Sequence, residues 1–280
     1  MDTQIIEDIL KCMPANEFDS TIQRIQTEHR LKLAQFWNIK SGSKVLEIGC
    51  GQGDTTSVIA YLVGDEGLVH AIDIASPHYG SPVTLGDSIN FIMKSSIGNR
   101  IKVDFETDVL SNDVNFPEGY FDYIVFSHCS WYLKSPEELF NILKKIKKWG
   151  KTLCFAEWDT RIQKNEQLPH FLSVLIQAQY ECFKESSLSN IRTLFTPKDM
   201  QDIAERAGWE VIGDAIIDSS QLQDGKWEME FVLSDYKKEI QSVDLPAKLK
   251  SLIQSEVNLL EAVSNQDDVN SLFTYTFIAK

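Results

Sequence analysis

The sequence of 280 residues is poor in paired cysteines, in long apolar runs and in positive charge. Its five cysteines, at positions 12, 50, 129, 154 and 182, are scattered and form no C-x-x-C pair. Such scattering predicts neither a disulfide framework nor a zinc cluster. The His, Asp and Glu residues also show no metal-ligand spacing, so the sequence predicts no metal site.

Two further absences bear on the compartment in which the protein works. No segment approaches the roughly 18 uninterrupted apolar residues that a transmembrane helix needs. The first residues lack the basic start and apolar run that are typical of a secretion signal. Together with the unpaired cysteines, these observations predict a cytoplasmic protein without a membrane partner.

The formal net charge is −14 at pH 7, from 27 basic and 41 acidic residues. Sequence-independent binding to nucleic acid depends on Lys and Arg, so this charge argues against a nucleic-acid partner. One local basic run is present at 144–148, spaced among Ile142, Leu143 and Ile146. That spacing is typical of a helix with one solvated and one buried face.

From residue 44 onwards, strand-like and helix-like segments alternate along the chain. The strands are predicted at 44–48, 68–73, 101–106, 121–127, 152–157, 209–217 and 271–279. Helices are predicted between them, at 55–63, 85–95 and 137–148. Alternation of this kind builds βαβ units, and it predicts an α/β fold with a mostly parallel sheet covered by helices on both faces.

Three helix-like stretches fall outside this alternation. Residues 1–40 predict an N-terminal helical cap, and residues 41–280 predict one domain with helical insertions at about 160–195 and 222–265. The cap and the second insertion carry apolar faces that must be buried. We expect these two stretches to pack together over the carboxyl ends of the fourth and fifth strands, where they would close on a ligand.

The stretch VLEIGCGQGDTT, residues 45–56, joins the first strand to the following helix. It places Gly49, Gly51 and Gly53 at every second position, and glycine lets a backbone approach a ligand closely. Asp73 ends the second strand twenty residues after Gly53. Dinucleotide-binding proteins keep an acidic residue there for ribose hydroxyls, so the pattern predicts a nucleoside with free hydroxyls.

Glu47 distinguishes between classes of nucleoside. A carboxylate two residues before the first glycine repels a pyrophosphate, but it suits a cationic amino-acid head group. Residues 45–53 closely resemble motif I, E/D-x-G-x-G-x-G, of the class I methyltransferases that use S-adenosylmethionine. Residues 116–133, 135–159 and 195–212 are similar to that family's segments around strand four, around strand five and before strand six.

The resemblance implies a Rossmann-like fold whose seven-stranded sheet has the order 3-2-1-4-5-7-6, with strand seven antiparallel. It also implies S-adenosylmethionine as the cofactor and S-adenosylhomocysteine as its product. The residues at the family's cofactor positions are Glu47, Gly49, Cys50, Gly51, Gly53, Asp73, Ile74, Asp108, Val109, Ser127 and His128. The chain departs from the family in its long loop at 74–86 and at 148–151, where relatives usually have Pro-Gly-Gly.

Methyl transfer from a sulfonium is an in-line displacement in which the protein mainly positions the reactants and excludes water. His128 is our first candidate for a general base, because the ordinary imidazole pKa of ~6.5 suits proton uptake near neutrality. The alternative is that His128 only lines the cofactor pocket. Tyr132 and Asp159 are further candidates, although Asp159 is alternatively a loop carboxylate beside Arg161. An aromatic wall for substrate or sulfonium is predicted from Tyr79, Trp131 and Trp158.

We therefore predict an enzyme that transfers a methyl group from S-adenosylmethionine to an O, N or C atom of a small, partly apolar molecule. One alternative is a sensor that binds the cofactor without catalysis. Two further alternatives are a cyclopropane-fatty-acid-type methyl transfer to an alkene and an NAD-dependent oxidoreductase. The sequence leaves the oligomeric state open, and a homodimer is one arrangement compatible with it.

Overall fold

A computed structural model describes residues 2–14, 20–187, 189–264 and 268–280. Its strands are β1 Lys44–Ile48, β2 Leu68–Ile72, β3 Ile101–Asp104, β4 Phe121–Ser127, β5 Gly150–Trp158, β6 Val211–Ile217 and β7 Thr274–Ala279. Its helices are α1 Asp2–Leu10, α2 Ser20–Trp37, α3 Asp54–Val63, α4 Leu85–Met93, α5 Pro136–Ile146, α6 Leu168–Glu181, α7 Pro197–Arg206, α8 Asp224–Gln241 and α9 Ala247–Ser264.

The strands form one sheet in the order β3-β2-β1-β4-β5-β7-β6. β1 to β5 are parallel, and β7 runs antiparallel to both of its neighbours. This arrangement confirms the predicted fold and strand order. Ile48 at the end of β1 pairs with Ile72 of β2 and Phe126 of β4, so these three strands end side by side. The loops that follow them therefore meet at one edge of the sheet.

Several element boundaries differ from the sequence prediction: β6 begins at Val211 rather than residue 209, and β7 at Thr274 rather than residue 271. β5 begins at Gly150 rather than residue 152, because Gly150 pairs with Phe121 and a Cβ there would lie 2.4 Å from Cγ1 of Ile124. Within the predicted helical insertion at about 160–195, α6 ends at Glu181. In the unusual turn before β5, Trp149 is buried and its indole N–H donates to Oδ1 of Asn115 at 3.0 Å.

Each face of the sheet has its own apolar core. On one face α5 and α7 pack against aromatic residues of β4, β5 and β7, with Leu143 and Met200 fully buried. On the other face α1, α2 and α3 contribute Ile9, Leu33 and Val58. The helices at residues 1–40 thus share a core with the sheet itself, because their apolar stripes lie against α3 and the sheet.

The insertion helices α6, α8 and α9 form a third core. Its fully buried members include Ile176 of α6, Val232 of α8 and Val257 of α9. The expectation that the N-terminal helices and residues 222–265 pack together is therefore wrong for α1, whose core partners lie on α2 and α3. α2 approaches α8 through a hydrogen bond from Gln26 to Asp224 at 3.3 Å. Across the described ranges, no helix has both the length and the hydropathy needed to cross a bilayer.

The packing of α1 can be tested by truncating one of its core side chains. Ile9 is fully buried, so Ile9→Ala should lower the free energy of unfolding by about 2–5 kcal/mol in a denaturant titration. Ile212 on the edge strand β6 is 51% exposed, and Ile212→Ala should cost less than about 1 kcal/mol. Equal effects of the two substitutions would show that α1 does not belong to the core.

Candidate functional site

The turn after β1 combines close packing with open space. Gly49, Gly51 and Gly53 have φ angles of 76°, 53° and 89°, a region that disfavours other residues. A Cβ on Gly49 would lie 2.9 Å from Cβ of Cys129, and one on Gly53 would lie 2.7 Å from Cδ1 of Ile89. A Cβ built on Gly51 would meet no atom within 4 Å. The outer glycines therefore permit packing, while the middle one borders space that a ligand can enter.

Asp73 connects this turn to the loops after β2 and β3. Its carboxylate accepts backbone N–H bonds from Gly51 and Ala75, both at 2.8 Å. The backbone carbonyl of Asp73 accepts a bond from Thr107 N–H at 2.9 Å. Each carboxylate oxygen keeps a further lone pair, which suits a ligand hydroxyl. Ile74, beside it, leaves 70% of its surface exposed and offers an apolar platform at the same edge.

The other predicted cofactor residues lie along the same edge, with different surroundings. Asp108 is exposed and accepts the backbone N–H of Leu110 at 2.8 Å, whereas Val109 is buried in the core. Cys50 is buried in the glycine turn, and burial raises the pKa of its thiol, which stays protonated. Ser127 ends β4 with a buried hydroxyl that bonds no described residue.

Glu47 is a buried carboxyl beneath the glycine turn. It is 2% exposed and accepts the hydroxyl hydrogen of Thr56 at 2.6 Å. Burial raises the pKa of Glu47 to about 8, with smaller contributions from Asp73 and Asp54, while Arg30 acts in the opposite direction. The group is therefore mainly neutral at pH 7, and an arriving cation would favour its ionised form.

The residues at this edge fit S-adenosylmethionine. The open space at Gly51 and the carboxylate of Asp73 suit a ribose, and the exposed Ile74 suits an apolar base edge. The buried Glu47 suits an ammonium, and Ser127 supplies a buried hydroxyl that bonds no described residue. Acceptor groups of this kind match a ligand with hydroxyls and positive charge but no phosphate.

A cavity of about 130 Å³ lies beyond the carboxyl ends of β4 and β5. Its walls come from α2, the loop after β4, β5, the segment after α6, and α8. The lining residues are Arg30, His128, Trp131, Tyr132, Glu157, Trp158, Asn190, Ile191, Asp224 and Glu228. The structure thus brings together two of the three catalytic candidates and two of the three aromatic residues predicted to form a wall.

Asp159 requires a correction. The side chain is fully buried and does not line the cavity. Its two oxygens accept hydrogen bonds from the Arg161 guanidinium at 2.8 and 2.9 Å and from Arg161 N–H at 2.9 Å. Asp159 does not reach the cavity because the guanidinium of Arg161, two residues later, forms a bidentate ion pair with its carboxylate. The alternative interpretation, a loop carboxylate beside Arg161, agrees with this geometry.

Glu157 organises the floor of the cavity. One carboxylate oxygen accepts the backbone N–H and the hydroxyl of Ser130, at 2.9 and 2.7 Å. The other accepts the N–H of Trp158 at 3.0 Å. A buried carboxylate requires donors of this kind. The loop after β4 therefore bends towards Glu157, and His128 adopts a φ of 51° at the bend.

His128 contacts a second histidine that the sequence analysis did not select. Its Nε2 lies 3.0 Å from Nε2 of His29, which is buried on α2. Thr274 Oγ1 lies 3.3 Å from the same His29 nitrogen and donates its own hydrogen to Ser219. Ser219 in turn donates to the carbonyl of Leu272. Thr274 can therefore only accept from the histidines.

The position of the protons follows from these contacts. One Nε2 must donate and the other accept. Glu157 Oε1 lies 3.6 Å from Nδ1 of His128, which favours a proton on that nitrogen. We infer that His29 donates from Nε2 and that His128 accepts with its lone pair. Burial, with the nearby charge of Arg30, holds the pKa of His29 well below its ordinary range, so His29 stays neutral.

This arrangement bears on the role predicted for His128. Its lone pair is occupied by His29, so His128 can take a proton only after that hydrogen bond breaks. The geometry favours the alternative interpretation, in which His128 lines the pocket. Tyr132 also lines the cavity and is partly exposed at its mouth.

Several cavity residues were missed because they lie far along the chain from the methyltransferase-like motifs. On α2 the polar residues Gln26, His29 and Arg30 share one helix face at i, i+3 and i+4, within a helix that otherwise buries apolar groups. On α8, Asp224 and Glu228 have i, i+4 spacing. Polar residues on one face of a helix indicate a possible binding site, but they do not indicate which strand ends that face lies against.

Comparison with known proteins agrees with this geometry. A family model described as a methyltransferase domain matches residues 21–213. The crystal structure of a cyclopropane-fatty-acyl-phospholipid synthase-like protein from Lactobacillus casei is 33% identical, covers 100% of both chains and has a TM-score of 0.87. Curated protein sequences give no match.

Two more distant structures share the fold. A SAM-dependent methyltransferase from Archaeoglobus fulgidus is 18% identical, with a TM-score of 0.51 over 94% of this chain and 97% of its own. The YcgJ protein from Bacillus subtilis is 11% identical, with a TM-score of 0.54 over 90% and 97%. At these identities the likeness concerns the architecture alone.

The protonation of Glu47 predicts a pH-dependent cofactor affinity. With a pKa of about 8, the free protein binds a proton here that an ammonium ligand would expel. Between pH 6 and 8 the affinity for S-adenosylmethionine should rise by up to about tenfold per pH unit, as one pKa unit corresponds to about 1.4 kcal/mol. Calorimetry in buffers of different ionisation enthalpy should detect the released proton.

The matched variant is Glu47→Gln, which keeps the size and cannot ionise. It should bind the cofactor more weakly at pH 8 and lose the dependence on pH. If the wild-type protein and the variant show the same pH profile, Glu47 does not contact the ammonium.

The inferred histidine protonation can be measured directly by long-range ¹H–¹⁵N spectroscopy at pH 8. His128 should carry its proton on Nδ1 and His29 on Nε2. A His29→Leu variant removes the donor, so the His128 signals should shift towards a mixture of tautomers. The opposite pattern in the wild-type protein, with His128 protonated on Nε2, would restore His128 as the leading candidate for the base.

Proposed function

Because the chain belongs to the class I S-adenosylmethionine-dependent methyltransferases, we propose that it methylates a small-molecule acceptor bound in the cavity beyond β4 and β5. The observation that carries this proposal is the position of the cavity. It opens beside the loop after β4, and that loop packs against the glycine turn through Cys129 and Gly49. An acceptor in the cavity would thus lie next to the cofactor residues.

When bound, S-adenosylmethionine supplies a methyl group activated by a positively charged sulfur. The chain's own residues hold and orient the reactants. Asp73 and the glycine turn would hold the ribose, and Glu47 would hold the amino-acid end. Arg30 has a buried Nε that bonds no described residue, and it lies close enough to Glu47 to lower its pKa. It would therefore suit a carboxylate of the cofactor.

The walls of the cavity support a small acceptor. α2 and α8 approach each other across it through Gln26 and Asp224, and Trp131 and Trp158 are almost fully buried beside it. These contacts exclude water from the neighbourhood of the reacting atoms. A polymeric acceptor would instead need an open groove.

A second candidate is methyl transfer to the alkene of a lipid, which the name of the L. casei protein suggests. The lining of the cavity counts against it. Arg30, Glu157, Asp224 and Glu228 are ionisable, and lipid chains bind in apolar channels. Incubation with vesicles of unsaturated phospholipid, followed by mass analysis of the acyl chains, distinguishes this activity.

The cofactor assignment is tested with Asp73→Asn. Calorimetry should show that the wild-type protein binds S-adenosylmethionine and does not bind NAD. The variant should bind at least about tenfold more weakly, because a hydrogen bond to a charged acceptor contributes about 1.5–3 kcal/mol. The matched control is Asp244→Asn, at an exposed position between α8 and α9, which should bind normally.

Release of S-adenosylhomocysteine in a screen of small metabolites tests the enzymatic step. A protein that binds the cofactor tightly and methylates nothing in that screen would be the sensor. A protein that binds NAD instead would contradict the assignment of Glu47 and Asp73.

A further inference from the structure

The α8 wall of the cavity carries negative charge that no described side chain neutralises. Glu228 accepts a hydrogen bond from the amide nitrogen of Gln177 at 2.6 Å and another from the side chain of Asn190. Asp224 accepts a weaker bond from Gln26 at 3.3 Å. These donors are neutral amides, and the ion pairs among the described residues include neither carboxylate.

The one guanidinium in the cavity wall is directed elsewhere. Arg30 hydrogen-bonds Gln26 and acts electrostatically on Glu47, whose pKa it lowers. The groups that shift the pKa of Glu228 do not include Arg30. A partly buried carboxylate without a cation is costly, so the geometry suits a positive charge brought by a ligand.

Two more features point to a bound ligand. The cavity holds about 130 Å³, the space of a few water molecules, which is enough for a small organic group. His128 is about nine-tenths buried in its wall, with an Nδ1 that lacks a hydrogen-bond partner among the described residues. Trp158 and Tyr132 add aromatic rings, whose faces attract cations.

We propose that the methyl acceptor is a small amine that enters as an ammonium against Asp224 and Glu228, and that Glu228 removes the proton that the nitrogen must lose. This proposal rests on the proposed function. One N–H proton passes to the Glu228 carboxylate, and the freed electron pair of nitrogen forms the new N–C bond. The S–C bond breaks with its electrons going to sulfur. The products are an N-methylammonium and the neutral thioether S-adenosylhomocysteine.

Glu228 is better placed for this role than its neighbours. The lone pair of His128 is occupied by His29, and Glu157 is 1% exposed and already accepts bonds from Ser130, Trp131 and Trp158. Glu228 keeps lone pairs free after its bonds to Gln177 and Asn190, which hold the carboxylate in place. Burial raises the pKa of Glu228, with a contribution from Asp224, and so makes it a stronger base.

The test compares Glu228→Gln with Glu230→Gln, an exposed position on the same helix that loses the same charge. Each protein is incubated with S-adenosylmethionine carrying a labelled methyl group. The acceptors are sets of small amines, each matched with the alcohol and the carboxylic acid of the same carbon skeleton. We expect the wild-type protein to methylate amines only. Glu228→Gln should lower kcat/KM about 100-fold or more, with cofactor affinity unchanged within twofold.

A pH profile separates a base from a residue that merely shapes the cavity. As the pH approaches the pKa of the free amine, unprotonated acceptor becomes available and needs no base. The defect of Glu228→Gln should therefore shrink with rising pH, whereas a structural defect would stay constant. Among the described residues, the other titratable or charged groups around Glu228, which both variants share, are Arg30, His128, Tyr132, Glu157, Tyr180 and Asp224.

The possible results distinguish failure of the amine proposal from failure of the proposed function. Preferred methylation of alcohols or acids, or equal activity of the two variants, would overturn the proposal while leaving the methyltransferase assignment in place. If the cofactor binds and no acceptor class is methylated, the proposed function fails, and calorimetry with the same amines on the cofactor-bound protein decides the site. Amine binding that Glu228→Gln abolishes would support the site, and absence of amine binding would overturn it.

Discussion

The site depends on the buried carboxylate of Glu157. Its oxygens accept bonds from Ser130 and Trp158, so the loop after β4 must turn towards β5. That turn gives His128 its positive φ and presents its ring to His29 on α2. The same loop brings Cys129 against Gly49. One buried charge thereby links the glycine turn, the cavity floor and the N-terminal helices, because its hydrogen bonds cannot be left unmade.

The insertions give this common architecture its particular chemistry. α6, α8 and α9 bury their apolar faces in a core of their own, and Val174 of α6 lies in the core on the sheet, so α8 is connected to the sheet through α6. Gln177 on α6 then holds Glu228 on α8 through a hydrogen bond. A rigid helix can thus place carboxylates in the cavity without help from the sheet. The α8 wall of the cavity is therefore built separately from the strand ends and loops around the glycine turn.

The sequence predicted well whatever depends on neighbours along the chain. The alternation of strand-like and helix-like segments predicted the parallel strands, and the family resemblance predicted their order in the sheet. The spacing of the glycines predicted the turn after β1. The position of Asp73 beside the glycine turn could be predicted because the carboxyl ends of neighbouring parallel strands lie at the same edge of the sheet. Asp159 was misplaced because the choice between a cavity and Arg161 depends on side-chain geometry. Gly150 entered β5 through pairing with Phe121, which is distant in sequence.

By itself, then, the sequence determined the fold and the glycine turn at the carboxyl end of β1, since these follow from local propensity and from motifs within short segments. Only the tertiary structure decided the cavity beyond β4 and β5. His29 and Glu228 lie on helices about 100 residues either side of His128, and no local pattern records that they meet there. Their meeting results from the burial of apolar helix faces, which fixes the polar faces as a consequence.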